Sequence, residues 1–391
     1  DNRKQVVSLY KDGSDENTDI SVVDQMMEKL KAMQKHTNIV FAIDATLSMK
    51  PYYSEIANSL KQIIKNNSEL MQHQIKFGLV IYRVYADGNK AYDFEPLTTD
   101  YELIQRRLNN IVCQSRDNDK PEAQYNGLKK GLNRLNLNPS QSNVVVLIGD
   151  CGNHSPDPEG FTKNDVIDIF KKKNINLIAY QVISKSSELS TYMKFNTDAQ
   201  NYITSTAADK INGIETDLDY KWEHVKSDNT YKLKWTDTDA SDCDFQNMFG
   251  RFIYADVNEE MNPSLLKGSI VNTLKEYMKS IDNNVSVINQ VIRGNNGCGL
   301  SSGVISDKPP EAVIVFIMNN FFNEDGSNYS REQAIAYLKQ TEVTLKAFVA
   351  LNYLKEGEIS NDINENALRN VVFLTHLELT NLQKELNRVG E

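Results

Sequence analysis

The chain has 391 residues, of which 40% are hydrophobic and 25% are charged, a composition typical of a globular protein with two or three domains. The formal net charge is −10 and no long run of Lys and Arg occurs, which argues against nucleic-acid binding. No apolar run approaches the roughly 20 residues that span a bilayer, so we expect no transmembrane segment. The chain begins at Asp1 without an initiator Met, and we therefore expect a fragment or a mature form.

Apolar runs and amphipathic helical stretches alternate between residues 36 and 206. The apolar runs are continuous, as buried parallel strands require, and they lie at 38–43, 77–84, 144–148, 175–183 and, more weakly, 201–204. The helical stretches between them lie at 53–65, 101–112, 124–135, 163–173 and 188–196. This rhythm predicts an α/β domain over residues 36–206, with a doubly wound, mostly parallel sheet and helices on both faces.

The regions on either side of this domain have different patterns. Residues 1–35 end in a segment with apolar residues at helical spacing, and we expect this N-terminal extension to pack on the other domains. Beyond residue 206 the alternation is lost, and residues 207–391 are predicted to form a C-terminal α+β domain of unknown function. Its expected elements begin with short strand-like pieces in the polar and aromatic stretch 207–260. A long helix, a strand and two further helical segments follow, at 264–292, 312–318, 331–353 and 377–389.

A carboxylate and two hydroxyls follow the first predicted strand at alternate positions, as Asp44, Thr46 and Ser48. The loop at the carboxyl end of a strand is where open α/β sheets bind their ligands. Hard oxygen donors of this kind suit Mg2+, Mn2+ or Ca2+ and do not suit zinc. Asp, Thr and Ser also cap helices well, so the motif alone fits a helix cap and a metal site equally.

Two further carboxylates are predicted at the same edge of the sheet. Asp150 ends the strand that begins at residue 144, and Asp119 lies in a polar loop just before the helix that begins at residue 124. Because the carboxyl ends of parallel strands meet at one edge, we expect these side chains to approach Asp44. The sequence therefore predicts a divalent-metal site formed by Asp44, Thr46, Ser48, Asp119 and Asp150.

These three motifs resemble the von Willebrand factor A domain family. The run of residues 44–48 resembles the family's Asp-x-Ser-x-Ser motif, with Thr46 in place of the first Ser. The stretch 119–123 resembles the Gly-Gly-Asp-x-Pro-Glu loop of some members without its two glycines, so that Asp119, or alternatively Asp117, takes the second ligand position. The stretch 148–154 resembles the Thr-Asp-Ala-Pro-Pro-His form of the same subgroup.

This resemblance implies binding and not catalysis. In the family, hydroxyls and carboxylates hold a divalent cation, with Mg2+ the first choice here and Mn2+ or Ca2+ as alternatives, and an acidic side chain of a protein partner fills an open coordination position. Asp119 in place of the family's Thr adds negative charge. We therefore expect the site to favour cation binding without a partner's carboxylate.

A narrower resemblance concerns a bacterial family and rests on the composition of the chain. Its abundant Asn, Lys and Ile resemble proteins of Bacteroidetes, in which the TssR accessory family of type VI secretion is similar in carrying such a domain. This resemblance implies a component of a bacterial cell-envelope or secretion assembly, in the periplasm or envelope, with the cytoplasm as the alternative.

Two other functions are alternatives to an interaction component. One is an enzyme whose active site lies in 207–391 and which the A-type domain targets, although the sequence contains no P-loop, His-Glu-x-x-His or nucleophile elbow. The other is a scaffold with a vestigial metal site.

The cysteines and one histidine leave alternatives open. Cys113 and Cys151 fall on loops at the metal-bearing edge, where they form either a disulfide or two free thiols, and Cys243 and Cys298 pose the same alternative beyond residue 206. His154 either orients a metal ligand or stabilises its own loop by a hydrogen bond.

Overall fold

The computed structural model describes residues 34–65, 74–113, 121–211, 219–225, 229–236, 249–292, 314, 317–318, 321, 323, 327–342, 348–351 and 368–371. The chain divides into two compact units, which are Gln25–Leu338 and Asp1–Asp24 with Lys339–Glu391. In the smaller unit, β9 (Phe348–Leu351) pairs antiparallel with β10 (Leu368–Val371). The larger unit holds the other elements described below, except that the last residues of the helix Arg331–Glu342 fall in the smaller unit.

Eight strands of the larger unit form one sheet. They are β1 (His36–Asp44), β2 (Gln74–Tyr82), β3 (Tyr92–Thr98), β4 (Ser142–Gly149), β5 (Ile175–Gln181), β6 (Asp219–Val225), β7 (Thr230–Thr236) and β8 (Gly250–Tyr254). Their order across the sheet is β3-β2-β1-β4-β5-β8-β7-β6. Five adjacent strands of the sheet are parallel, namely β2, β1, β4, β5 and β8. Strands β3, β6 and β7 pair antiparallel with their neighbours.

The helices are α1 (Tyr53–Lys65), α2 (Tyr101–Asn109), α3 (Gln124–Arg134), α4 (Lys163–Lys172), α5 (Leu189–Ile211), α6 (Pro263–Ile292) and α7 (Arg331–Glu342). The crossovers β1–α1–β2 and β4–α4–β5 run in opposite directions from the middle of the sheet. Because such connections are right-handed, they place α1 and α4 on opposite faces. Helix α1 contacts α2 and α6, and α4 contacts α3 and α5, which gives one layer of helices on each face.

The central strands are buried on both sides, as their continuous apolar sequences predict. Residues 39–43 of β1 and 144–148 of β4 are fully buried. Helix α3 lies very close to β2, since a methyl group at Gly127 would come within 2.4 Å of Tyr82 Cβ and one at Gly131 within 2.5 Å of Val80 Cγ1. The predicted doubly wound, mostly parallel α/β sheet is confirmed.

Three predicted segments differ from the structure. The weak strand at 201–204 is wrong because those residues lie in α5, where Phe195, Ala199, Tyr202 and Thr206 are buried at helical spacing. In the predicted strand 312–318, the described residues 314, 317 and 318 are helical. The helix expected at 331–353 ends at residue 342, and residues 348–351 form β9.

The described residues between 207 and 292 belong to the larger unit and form no separate second domain. Strand β8 pairs in parallel with β5, and β7 and β6 extend the sheet beyond it. Helix α6 packs on α1, where Lys267 Nζ lies 2.6 Å from Glu55 Oε2. The sheet therefore continues past the boundary that the sequence predicted at residue 206.

Two predicted segments lie outside the described residues, namely the N-terminal extension up to residue 33 and the helix at 377–389. In the part of the chain that the structure describes, no helix combines the length and the apolar character that a bilayer crossing requires.

Candidate metal site

The site lies where β1 and β4 are neighbours in the middle of the sheet. Asp44 is the last residue of β1, and Asp150 directly follows β4. Ile43 is in register with Ile148, so the two chains leave the sheet side by side. The chain winds away from this point in opposite directions, which makes it the switch point where doubly wound sheets bind ligands. The structure therefore brings together the two carboxylates that the sequence predicted at the strand ends.

A third carboxylate, that of Glu122, completes a buried cluster. One oxygen each from Asp44, Glu122 and Asp150 lies within 4.8 Å of the other two. The exposed fractions of these residues are 0%, 3% and 2%. Carboxylates are rarely buried this deeply, and three of them this close together could hold a metal ion.

The loop after β1 turns its hydroxyls toward the first carboxylate. The backbone N–H and the hydroxyl of Thr46 both donate to Asp44 Oδ1 at 2.8 Å. Thr46 Oγ1 lies 3.2 Å from the hydroxyl of Ser48, which is exposed. Thr46 occupies the N-cap position of a 3-10 helix, Leu47–Tyr52, but makes no side-chain cap hydrogen bond. The geometry thus favours the ligand-loop interpretation of this motif over a helix cap.

The backbone around Glu122 is held against the loop that follows β4. Glu122 forms an isolated parallel bridge with Asn153. The N–H of Glu122 donates to the carbonyl of Gly152 at 2.9 Å, and the N–H of His154 donates to the carbonyl of Glu122 at 3.1 Å. The side chain of Asn153 accepts a hydrogen bond from the N–H of Tyr125 at 2.8 Å, at the start of α3. This short pairing brings Glu122 beside Asp150.

Sequence reasoning missed Glu122 and selected Asp119 from the same loop. Asp119 and its alternative Asp117 lie outside the described residues, so the assignment of Asp119 stays a prediction. The available signal was the position of Glu122, which lies in the same motif as Asp119 and is nearer to the helix predicted from residue 124. A carboxylate directly before a predicted helix is a candidate ligand even when it is not the first acid in its motif.

Burial disfavours the charged forms of two members of the cluster. Burial raises the pKa of Asp44 well above its usual value, and the nearby charge of Asp150 raises it further. Burial also raises the pKa of Asp150, against hydrogen bonds from Ser48 and Cys151 that lower it. Asp44 Oδ2 and Asp150 Oδ1 are buried and accept no hydrogen bond from any donor among the described residues. These carboxylate oxygens and the two hydroxyls fit a hard divalent cation.

Gly149, directly before Asp150, is closely surrounded by side chains of other elements. A methyl group there would lie 2.6 Å from Tyr82 Oη and 2.9 Å from Phe195 Cε2. Its distance of 3.5 Å from Asp44 Cβ would be an ordinary contact. The absence of a side chain therefore makes room for Tyr82 and Phe195 beside the end of β4.

The thiols and the imidazole near the site have structural surroundings. Cys113 and Cys151 are both free thiols, so the disulfide considered between them is not formed. Burial raises the pKa of Cys113 to about 11, which keeps this thiol protonated near neutral pH. The ring of His154 makes an edge contact with Tyr85, with 5.5 Å between centroids. With the hydrogen bond from its N–H to Glu122, this favours a loop-stabilising role. Cys243 and Cys298 lie outside the described residues.

The fold and this site define a von Willebrand factor A-type domain. A sheet wound in both directions from β1 carries a carboxylate and two hydroxyls after β1 and a carboxylate after β4. More narrowly, the chain belongs to the family described as the TssR protein VWA domain, whose family model matches residues 19–294. The resemblances to the A-type domain family and to the TssR family are thereby confirmed, and the likeness in composition to proteins of Bacteroidetes stays a prediction.

The solved structures that match this chain come from different organisms. The pilus adhesin SpaC from Lactobacillus rhamnosus GG matches 63% of this chain and 31% of its own chain, with 13% identity and a TM-score of 0.40. Its open conformation gives 14% identity, a TM-score of 0.39 and coverage of 63% and 30%. Proximal thread matrix protein 1 from the mussel byssus gives 15% identity, a TM-score of 0.29 and coverage of 44% and 45%.

The chain thus spans about a third to a half of the length of the solved structures it matches. No curated protein sequence matches it significantly.

Proposed function

We propose that this protein is a non-enzymatic interaction component that holds a divalent cation at the carboxyl edge of its sheet and docks a protein partner there. The observation that carries the proposal is the buried cluster of Asp44, Glu122 and Asp150, with oxygens within 4.8 Å of one another. Mg2+ is the first choice because the donors are hard oxygens, and Mn2+ or Ca2+ fit the same chemistry.

Each residue of the set has a distinct task. Asp44 and Asp150 supply charge from the two central strands, and Glu122 adds charge from the loop before α3. Thr46 and Ser48 supply hydroxyl oxygens, and Ser48 is the exposed member of the set. When bound, the cation supplies an electrophilic position that water or a carboxylate of a partner can occupy.

The surroundings of the site favour a protein as partner. Leu47, directly before Ser48, is 56% exposed. Leu189 and Met193, at the beginning of α5, are 44% and 48% exposed. Because α5 follows β5, these side chains lie at the same carboxyl edge as Leu47. Large apolar side chains exposed around a polar site are typical of protein interfaces.

Family membership supports the narrower assignment to a secretion assembly. A chain of the TssR protein VWA domain family is expected to serve type VI secretion as an accessory component at the bacterial cell envelope. The boundaries predicted at residues 35 and 206 stay predictions, and the shared sheet favours an A-type domain that extends past residue 206.

Calorimetric titration of chelator-treated protein with Mg2+, Mn2+ and Ca2+ tests the metal site. We expect Glu122→Gln and Asp150→Asn to weaken binding strongly, because each removes a buried charge. Asp119→Asn tests the ligand that the sequence predicted. Asp168→Asn is the matched control, since Asp168 is an exposed residue of α4. Binding that is unchanged in Glu122→Gln and Asp150→Asn would contradict the proposed site.

Capture of a partner with and without chelator tests the docking role. Loss of a specific partner on chelation, and in the Asp150→Asn protein, is the expected result. A partner that is captured equally in both conditions would point to a scaffold that does not use its metal.

A further inference from the structure

A cavity separate from the carboxylate cluster opens in the outer part of the sheet. It lies between β7, β8 and the first half of α6, and its volume is about 680 Å³. The loop at 255–262, which leaves the carboxyl end of β8, forms one side of it. None of Asp44, Glu122 or Asp150 lines this cavity. Its volume is within the roughly 300–1,000 Å³ of ordinary ligand pockets. We call it the α6 groove.

A glycine on the wall of the α6 groove has no structural explanation within the described residues. A methyl group at Gly268 would meet no atom within 4 Å, in contrast to Gly127 and Gly131, where the close approach of β2 excludes a side chain. Glycine in a helix interior is less favourable than alanine. Gly268 therefore weakens α6 but leaves the groove open. Such a glycine is expected when a ligand occupies the open space.

The charges of the groove are unevenly balanced. Inside it, Arg251 Nε lies 3.4 Å from Glu276 Oε2 and Lys232 Nζ lies 3.7 Å from Glu276 Oε1, so one carboxylate serves both cations. At the rim, Asp256, Glu259 and Glu260 are exposed. No ion pair joins these three carboxylates to a cation in the part of the chain that the structure describes. The rim thus presents uncompensated negative charge.

Large apolar side chains are exposed at the rim and next to it. Leu265, which lines the groove, is 70% exposed, and Val257, which follows the lining residue Asp256 in the chain, is 58% exposed. The lining itself is mostly polar, unlike the predominantly apolar pockets that bind small molecules. An acidic rim with exposed apolar side chains is complementary to a protein segment that carries both basic and apolar side chains.

We propose that the α6 groove binds a segment of a partner protein in which Lys or Arg side chains alternate with apolar ones. The basic side chains face Asp256, Glu259 and Glu260, and the apolar ones contact Leu265 and Val257. This binding does not involve the cation of the carboxylate cluster. It can therefore be measured with that cluster empty, and its failure would leave the proposed metal site untouched.

Two labelled synthetic peptides of equal length test the proposal, one alternating Lys and Leu and the other alternating Glu and Leu. Fluorescence anisotropy is measured in the presence of chelator with wild type, Gly268→Ala and Gly268→Phe. We expect the Lys–Leu peptide to bind wild type and Gly268→Ala alike, and to bind Gly268→Phe about tenfold more weakly or worse, because the ring fills the groove. The Glu–Leu peptide should not bind.

The neutral change at Gly268 separates the groove from unspecific attraction to an acidic protein, because it leaves the net charge at −10. A second variant with Asp256→Asn, Glu259→Gln and Glu260→Gln should bind the Lys–Leu peptide more weakly and with less dependence on salt. Circular dichroism verifies that each variant is folded. Equal affinity of folded Gly268→Phe and wild type, binding of the Glu–Leu peptide, or no binding of the Lys–Leu peptide would each overturn the proposal.

Discussion

Two loops of this protein lead into a helix with a Thr at the N-cap position, and each Thr pairs with a nearby Asp in a different way. At the start of α4, Thr162 accepts a hydrogen bond from the N–H of Asp165, and the Asp165 carboxylate accepts one from the N–H of Thr162, which is a capping box. After β1, the Thr46 hydroxyl donates to Asp44 and makes no cap bond. The same residue types thus serve a helix end in one loop and a buried carboxylate in the other.

Burial and charge balance separate the two loops. Asp165 lies near solvent and accepts hydrogen bonds from Lys129 and Thr162, which lower its pKa to about 2. Asp44 is fully buried, and its pKa is raised by that burial and by the charge of Asp150. A carboxylate whose charge is compensated within the fold needs no further partner. One that is buried beside another carboxylate does, and a divalent cation is the partner that its neighbours fit.

Asp44→Asn should have the largest effect on this contrast. We expect divalent-cation affinity to fall about a hundredfold or more, since the change removes a buried ligand charge. At a cation concentration about 100 times the wild-type Kd, wild type should gain about 2.7 kcal/mol of stability and the variant almost none. Thermal unfolding with and without Mg2+ measures this gain.

The matched control for that experiment is Asp165→Asn, the equivalent change in the capping box. It should leave the gain from Mg2+ intact while lowering stability in both conditions. If Asp44→Asn and Asp165→Asn respond to Mg2+ in the same way, the distinction between the two loops fails.

Gly149→Ala should destabilise the protein by about 1–3 kcal/mol, as overpacking in a close-packed core does. The added methyl group would lie 2.6 Å from Tyr82 Oη and 2.9 Å from Phe195 Cε2, and relieving these contacts shifts the end of β4, next to Asp150. Metal affinity should fall with stability. Gly268→Ala is the control because its methyl group meets no neighbour. A Gly149→Ala protein with wild-type unfolding in denaturant would show that the end of β4 tolerates a side chain at this position.

The two loops should also respond to pH with opposite signs. The folded-state pKa values of Asp44 and Asp150 are raised, so metal-free protein holds protons that the unfolded chain releases, and stability falls as pH rises above about 4. The lowered pKa of Asp165 contributes stability that is present above about 4 and is lost as pH falls toward about 2.

Denaturant unfolding of metal-free protein between about pH 4 and pH 7 measures the first of these effects. Wild type should lose more stability over this interval than Asp44→Asn, and saturating Mg2+ should remove the difference. The same pH dependence in both proteins would contradict the electrostatic coupling of the cluster.

The smallest expected effects come from the two threonines. Thr162→Ala should cost about 1 kcal/mol of stability, as the loss of an N-cap does, with metal affinity unchanged. Thr46→Ala should lower metal affinity about tenfold. It should not weaken the 3-10 helix Leu47–Tyr52, because the Thr46 side chain makes no cap hydrogen bond there. If calorimetry and unfolding give the reverse pattern, Thr46 is the cap and Thr162 is not.

Much of the central sheet could be predicted from the sequence because its signals are local. The continuous apolar runs of β1, β2, β4 and β5 predict buried parallel strands, and Asp44 and Asp150 follow two of them directly. The position of a residue at the end of a buried strand is therefore enough to place it at the ligand-binding edge.

The remaining features depend on contacts between distant residues. Strand β3 contains Pro96 and polar residues that only an edge position tolerates, and the five-residue β8 is a strand because it pairs with β5. The burial of Glu122 comes from its pairing with Asn153, 31 positions along the chain. The Asp44 motif could not be separated from a helix cap because burial, which distinguishes it from the Thr162 loop, is a property of the folded protein.

Anomalous X-ray scattering from crystals grown with Mn2+ would locate a cation bound to the carboxylate cluster. We expect a single strong peak in contact with carboxylate oxygens of Asp44, Glu122 and Asp150, which is lost in crystals of Glu122→Gln or Asp150→Asn. Ordered density for these three side chains with no peak between them, or a peak bound elsewhere and insensitive to both changes, would contradict the proposed site.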